Sequence, residues 1–119
     1  NFIISDSQKI RQICINLISN AFKYTEKGEI IFSVGLTEAG ILKISVQDTG
    51  IGISKDDIGR IFNFYSRIER KGTVRQSGTG LGLVISQKYA RAMGGAVTVE
   101  SQVSKGSVFT LTVPVHVIN

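Results

Sequence analysis

Two patterns coincide in the stretch Asn16-Leu17-Ile18-Ser19-Asn20-Ala21-Phe22-Lys23-Tyr24-Thr25. Its apolar residues continue a helical spacing that begins upstream at Ile10, so the segment predicts a helix that ends near Tyr24. Ser5, with Gln8 three positions later, predicts a capping box at the start of this helix. We therefore expect a long helix that buries one apolar face.

The second pattern is a polar ridge beside that face. Asn16, Asn20 and Lys23 are four and three residues apart, so they share one stripe of the helix. An asparagine carbonyl oxygen suits Mg²⁺, which often takes few protein ligands together with phosphate oxygens and water. A neighbouring lysine can neutralise phosphate charge. On this helix alone, however, an ordinary solvated face is the better interpretation.

A second candidate stretch, Asp48-Thr49-Gly50-Ile51-Gly52, follows the β-branched run 41–46. A carboxylate at the end of a strand can accept a hydrogen bond from an amino group such as that of adenine. Alternating glycines allow a ligand to approach the backbone closely. Taken alone, a strand-ending turn capped by Asp48 is again the better interpretation.

The third stretch, Gly78-Thr79-Gly80-Leu81-Gly82, precedes a second predicted helix. Backbone N–H groups at a helix start bind phosphate, and glycine lets the chain wrap around it. Gly82 comes one residue too early for the dinucleotide fingerprint, and no Gly-Lys-Ser/Thr follows, which excludes a P-loop. The basic segment before this stretch, residues 63–79, shows no periodicity, which is typical of a functional or mobile loop.

Composition limits the class of protein. A length of 119 residues with 42% apolar residues fits one domain with a real core. The net charge of +5 suits a polyanionic ligand, whether nucleotide, nucleic acid or acidic lipid. A single cysteine, Cys14, excludes an intrachain disulfide and is expected to be a buried packing thiol. Neither a signal peptide nor a bilayer-length apolar run is present.

The order of predicted elements is helix, hairpin, short helix, long loop, helix, hairpin. This order predicts an α+β protein, a two-layer sandwich with helices on one face of a mixed, largely antiparallel sheet. We expect the last strand to end at Val113, with His116 lying beyond it.

The three stretches together are far more specific than any one of them. In this order and spacing they resemble the N, G1 and G2 boxes of the GHKL (Bergerat-fold) ATP-binding superfamily, and most closely its histidine-kinase branch. Ile61-Phe62 with Phe64-Tyr65 is similar to the F box, and Gly106-Ser107 to the last glycine box, where Ser104 replaces an expected glycine. The resemblance covers nearly the whole chain. It implies one ATP-binding catalytic domain over residues 1–119, with an ATP lid at about 63–79.

The resemblance also implies a role for each residue. Asn20 would coordinate Mg²⁺, Lys23 would contact phosphate oxygens, and Asp48 would bind the adenine amino group with help from Ser107. Asn16 would lie beside the phosphates and, with Asn20 and Lys23, form the catalytic set. The remaining residues implied to line the nucleotide site are Tyr24, Gly50, Gly52, Ile53, Gly78, Thr79, Gly80, Leu81 and Gly82.

By the same resemblance, ATP and Mg²⁺ are the expected ligands, and the phosphoryl acceptor is a histidine on a separate dimerisation domain. A response regulator or receiver domain would act downstream. We expect a cytoplasmic domain without direct membrane contact, whether or not the parent is membrane-anchored. Nucleic acid is disfavoured, because the basic residues cluster on a loop without an aromatic stacking platform.

Three alternatives stay open at this point. An ATP-driven conformational switch of the gyrase and chaperone type is one, although those branches carry a glutamate where this chain has Asn16, and a neutral amide cannot act as that base. A non-catalytic nucleotide-binding module is the second. A serine kinase of the same superfamily is the third, although Lys23-Tyr24-Thr25 and the form of the G2 box are more similar to the histidine branch.

Overall fold

The computed structural model describes residues 2–62 and 82–118. Within these ranges the chain forms three helices and six strands. In chain order they are β1 (Phe2–Ile4), α1 (Ser7–Tyr24), β2 (Ile30–Leu36), β3 (Ile41–Asp48), α2 (Lys55–Ile58), α3 (Gly82–Ala92), β4 (Ala96–Gln102), β5 (Gly106–Pro114) and β6 (His116–Ile118).

Four strands form the main sheet, in the order β2-β3-β5-β4, and β1 pairs with β6 in a separate ladder. Every described ladder is antiparallel. The predicted α+β sandwich is thus confirmed, and its sheet contains no parallel pair among the described strands. The prediction for the C-terminal end was wrong, because His116 does not lie beyond the last strand but begins β6, opposite Ile4.

Helix α1 ends at Tyr24, as its pattern predicted, but it starts differently. Its N-cap is Asp6, not Ser5: the Asp6 carboxylate accepts a hydrogen bond from the Lys9 backbone N–H at 3.1 Å. A carboxylate at this position also interacts favourably with the positive end of the helix dipole. No helix within residues 2–62 or 82–118 is long and apolar enough to cross a membrane.

The core lies between the sheet and its helices. α1 packs against β3 on one side and α3 on the other. Antiparallel alternation sends every second side chain of β3 and β5 toward the helices, and these residues are buried. Cys14 packs half-buried at the edge of this core, and burial raises the pKa of its thiol, in agreement with a packing role. The fully buried centre consists of Ile13, Leu17, Val46, Val97, Phe109, Leu111 and Val113.

Three turns depend on backbone with positive φ. Gly40 (φ +83°) closes the β2–β3 hairpin, and Gly94 (φ +85°) follows the end of α3. In the turn between β4 and β5, Ser104 adopts φ +69°, a region that favours glycine. The glycine that the resemblance implies at this position is therefore the residue type that the turn geometry prefers.

Candidate functional site

The polar ridge of α1 lies along the side of the helix that faces α3. Asn16 and Asn20 are half-buried, and Lys23 is exposed near the helix end. Lys23 forms no ion pair with any residue in the described ranges. The ridge therefore carries two amides and, as far as the described ranges show, one cation without an ion pair on a single stripe.

Asn20 carries an unusual feature for a buried polar group. Its Nδ2 atom is shielded from solvent and has no hydrogen-bond partner among the described residues. A buried donor left unpaired costs about 1–3 kcal/mol. An acceptor next to this amide, such as a phosphate oxygen or a metal-bound water, would remove that cost.

Asp48 is the last residue of β3 and lies opposite Ser107 in the sheet. Its side chain is only 3% exposed, and one oxygen, Oδ1, accepts a hydrogen bond from the Gly50 backbone N–H at 2.9 Å. Burial raises the pKa of this carboxyl, while the backbone N–H groups of Gly50 and Ser107 act in the opposite direction. The strand end thus presents a desolvated carboxyl whose ionised form the nearby Thr25 hydroxyl also favours.

The loop after Asp48 joins α1 to the β4–β5 turn. Ile51 donates its backbone N–H to the Tyr24 carbonyl at 3.2 Å and accepts a bond from Ser104 N–H at 2.7 Å. Tyr24 is the final residue of α1, one turn beyond Asn20. The first and second candidate stretches, which are far apart in sequence, are therefore in direct contact.

Glycine is required in this loop because the chain approaches its own backbone. A Cβ on Gly50 would overlap the Tyr24 carbonyl oxygen, and one on Gly52 would overlap the Gln102 carbonyl oxygen. Gly52 also has φ +74°. The sequence interpretation attributed these glycines to the approach of a ligand, and the structure adds an intramolecular reason for them.

Ser101, which was not singled out from the sequence, organises the same end of the site. Its Oγ accepts a hydrogen bond from the buried Ile53 N–H at 2.7 Å, donates to the Gly106 carbonyl at 3.0 Å, and lies 2.6 Å from Ser107 Oγ. A signal existed: Ser101 continues the inward-facing series that begins with Val97, so it is a polar residue at an apolar register.

The third stretch is described only at Gly82, the first residue of α3. Its carbonyl accepts a hydrogen bond from Asn16 Nδ2 at 3.1 Å. The rest of this stretch lies outside the described residues, namely Gly78, Thr79, Gly80 and Leu81. The predicted lid at 63–79 and Phe64-Tyr65 of the F box also lie outside them. Within the described ranges, α1 therefore contacts both the loop after Asp48 and the beginning of α3.

The donor set agrees with a metal that arrives with its nucleotide. Among the described residues, no cluster of three His, Cys, Asp or Glu side chains could hold a metal ion independently. A single amide oxygen from Asn20 suits Mg²⁺, because this ion keeps waters and phosphate oxygens as most of its ligands.

Comparison with known proteins identifies one family over nearly the whole chain. Residues 5–117 match the family model described as histidine kinase-, DNA gyrase B-, and HSP90-like ATPase. The chain is 43% identical to the aerobic respiration control sensor protein ArcB of Escherichia coli and 40% identical to the sensor histidine kinase WalK of Bacillus subtilis. These alignments cover 93% and 95% of this chain but only 14% and 19% of the relatives.

Among solved structures, full-length ShkA in complex with AMPPNP superposes with a TM-score of 0.83 at 34% identity. The match covers 98% of this chain and 23% of ShkA. The order of the motifs, the antiparallel sheet under two helices, and the family match over 5–117 agree with one another. The chain belongs to the histidine kinase-, DNA gyrase B-, and HSP90-like ATPase family, and its relatives are sensor histidine kinases.

Proposed function

We propose that this chain binds Mg-ATP and donates the γ-phosphate to a histidine on a separate dimerisation domain of the same protein. One observation carries the proposal: α1 contacts the loop after Asp48 through Tyr24, and it contacts the start of α3 through Asn16. A single helix thus joins a base-selecting carboxyl to a phosphate-binding helix start. Family membership supports ATP as the nucleotide.

At the base end, the hydrogen bonds of Asp48 determine which nucleobase its carboxyl can select. Gly50 donates to Oδ1, and the carboxyl, which also lies beside the Thr25 hydroxyl, keeps lone pairs that can accept a hydrogen bond from an amino group. Adenine presents an amino group where guanine presents a carbonyl, and two acceptors facing each other in a desolvated site repel. Ser107, which lies opposite Asp48 in the ladder, would join this contact.

At the phosphate end, three kinds of group stabilise negative charge. Lys23 supplies a cation without an ion-pair partner in the described ranges, Asn20 supplies a buried amide donor without a hydrogen-bond partner there, and the first turn of α3 supplies backbone N–H groups. When bound with the nucleotide, Mg²⁺ supplies further positive charge to the phosphate oxygens. The protein therefore positions and neutralises the phosphates, which is the main requirement for phosphoryl transfer.

Transfer is favoured over hydrolysis by the residue at position 16. The amide of Asn16 cannot take a proton from water, and both of its N–H bonds are used within the protein, at Gly82 and Ser86. In the proposed step, the bond from the γ-phosphorus to the bridging oxygen breaks, ADP leaves, and a new bond forms to an imidazole nitrogen. A response regulator or receiver domain would accept the phosphoryl group next. The domain would act in the cytoplasm, without touching a membrane.

Binding of a non-hydrolysable ATP analogue to the 119-residue chain tests the first half of the proposal. We expect saturable binding that is tighter with Mg²⁺ than without it, and tighter for ATP than for GTP. Calorimetry gives the affinities, and amide chemical shifts locate the contacts. Equal affinity for ATP and GTP, or no binding, would contradict the site.

Phosphotransfer in the parent protein tests the second half. Incubation with γ-labelled ATP should give an acid-labile, alkali-stable phosphoprotein, as expected for phosphohistidine. Label released only as inorganic phosphate would favour the ATP-driven switch. Binding without label transfer or hydrolysis would favour a non-catalytic module, and acid-stable label would favour a serine kinase.

A further inference from the structure

At the contact between α1 and the beginning of α3, the Asn16 side chain is held by one backbone carbonyl and two other side chains. Asn16 Nδ2 donates to the Gly82 carbonyl and to Ser86 Oγ, both at 3.1 Å. Asn16 Oδ1 accepts a hydrogen bond from Gln12 Nε2 at 3.0 Å. Because a carbonyl oxygen can only accept, Nδ2 must face Gly82, and the orientation of the amide is fixed.

Ser86 is the buried end of this contact. It is 0% exposed, and it lies one helical turn after Gly82, so both acceptors of Asn16 are on the same face of α3. A buried hydroxyl needs a hydrogen-bond partner, and Asn16 provides one. Gln12 lies one turn before Asn16 on α1 and completes the set from the other side.

This arrangement limits what the Asn16 side chain can do at the site. With both of its N–H bonds directed at α3, it has no donor left for a phosphate oxygen. Asn16 instead holds the carbonyl group of Gly82, the first residue of α3. The N–H groups of this first turn have no partners within the helix and can bind phosphate.

We propose that Gln12 and Ser86 are positioning residues, which act through Asn16 to set the first turn of α3 against the phosphate end of α1. This inference rests on the proposed ATP site. It predicts that Gln12, Asn16 and Ser86 contribute to binding of the nucleotide phosphates and not to binding of the base. Positioning errors of this kind weaken affinity for the charged part of a ligand, because the donors lose their alignment.

Ser86→Ala is the test variant, since it removes one acceptor of Asn16 with almost no change in volume. We expect affinity for the ATP analogue to fall about fivefold, the equivalent of one hydrogen bond. Affinity for adenosine, measured by competition, should change less than about twofold, because adenosine carries no phosphate. Gln12→Leu should likewise lower the ratio of ATP-analogue affinity to adenosine affinity.

Gln87→Leu is the matched control on the next residue of α3. The Gln87 side chain forms two hydrogen bonds of 2.8 Å with the backbone of Val97 in β4 and none with α1. Its loss should lower the melting temperature without changing the ratio of ATP to adenosine affinity. If Ser86→Ala leaves that ratio unchanged, through no loss or through equal loss for both ligands, the positioning role is overturned.

A readout without nucleotide separates this inference from the proposed function. The two Asn16 side-chain N–H protons should give distinct resonances, because they have different acceptors, and Ser86→Ala should shift them while Gln87→Leu does not. If these resonances behave as expected but the wild-type chain binds no ATP, the proposed function fails and the contact stands. If they are degenerate in the wild-type chain, the contact itself is absent.

Discussion

The base end and the phosphate end of the candidate site are built differently. At the base end, backbone and hydroxyl groups from three separate segments pair with one another around Asp48, Ile53 and Ser101. At the phosphate end, Lys23 has no ion-pair partner in the described ranges, and the buried Asn20 amide donor has no hydrogen-bond partner there.

This difference indicates how each end of the candidate site would interact with a ligand. A buried base end in which most groups are paired suits selection of one base, although the Thr25 hydroxyl beside Asp48 makes no hydrogen bond within normal distance in the described ranges. An incompletely paired phosphate end is stabilised by whatever supplies its missing acceptors and negative charge. We therefore expect mutations at the base end to change specificity, and mutations at the phosphate end to change dependence on Mg²⁺ and salt.

Asp48→Asn should have the largest effect on the base end. The substitution replaces an acceptor by an amide whose N–H₂ group either faces Gly50 N–H or faces the adenine amino group. We expect affinity for the ATP analogue to fall about 100-fold, roughly 3 kcal/mol, with the preference over GTP lost. Calorimetry with both nucleotides measures this, and wild-type affinity in the variant would exclude the assigned contact.

The same variant has an opposite effect on stability. Burial raises the pKa of Asp48 from its ordinary value of 3.8, so the folded state holds this proton more tightly than the unfolded state. That contribution to stability is present at low pH and is lost as pH rises from about 3.8 through the raised folded pKa. Asp48→Asn should therefore unfold at a higher temperature than the wild type at pH 7, and the gap should shrink toward pH 4. An unchanged gap across this range would show that burial does not penalise the charge.

Asn20→Ala should have the next largest effect, at the phosphate end. Affinity for the Mg²⁺–ATP analogue should fall about tenfold, since a charge-assisted contact of about 1.5 kcal/mol is lost. Adding EDTA should then cause little further loss. Because the amide donor has no partner in the described protein, the free energy of unfolding without nucleotide should fall by less than about 1 kcal/mol. A large loss of stability would mean that Asn20 has a structural partner.

At the phosphate end, local information predicts the polar ridge of α1 but not the contact that the ridge makes. Helical spacing places Asn16, Asn20 and Lys23 on one stripe from local information alone, and α1 ends at Tyr24 as expected. Whether Asn16 faces α3 depends on a contact 66 residues away in the chain, with Gly82, which no local pattern encodes.

At the base end the sequence identified Asp48 and its glycines, but not what they pack against. Gly50 and Gly52 are required by the carbonyl groups of Tyr24 and Gln102, which come from segments remote in sequence. Strand β6 was missed because three residues are too short to show periodicity, and only pairing with β1 defines it. Antiparallel pairing was predicted where a short turn joins the two strands.

Ser101→Ala tests whether the base end is held by its hydroxyl network. The variant leaves the buried Ile53 N–H without its acceptor and Ser107 without its neighbour, so the free energy of unfolding should fall by about 2 kcal/mol. ATP and adenosine should both bind about fivefold more weakly, since the network supports the base pocket and not the phosphates. Denaturation and calorimetry measure the two effects.

Ser45→Ala is its control. Ser45 Oγ lies 3.3 Å from Thr110 Oγ1, in another serine hydroxyl pair between neighbouring strands, but its register places it on the face of the sheet away from the helices. We expect affinities within a factor of about two of the wild type. Equal losses in both serine variants would mean that general destabilisation of the sheet, and not the Ser101 network, weakens binding.

Lys23→Met should have the smallest effect, because an exposed cation acts on a ligand through screened charge. We expect a two- to threefold loss of ATP affinity, about 0.5 kcal/mol, that shrinks as salt is raised from 0.05 to about 0.5 M. Lys43→Met is the matched control, since Lys43 is an exposed lysine of β3 on the face of the sheet away from α1. A salt-dependent loss confined to the Lys23 variant would place the phosphate charge beside α1. Equal losses in both variants would mean that the net charge of +5 attracts ATP in general and that Lys23 makes no specific contribution.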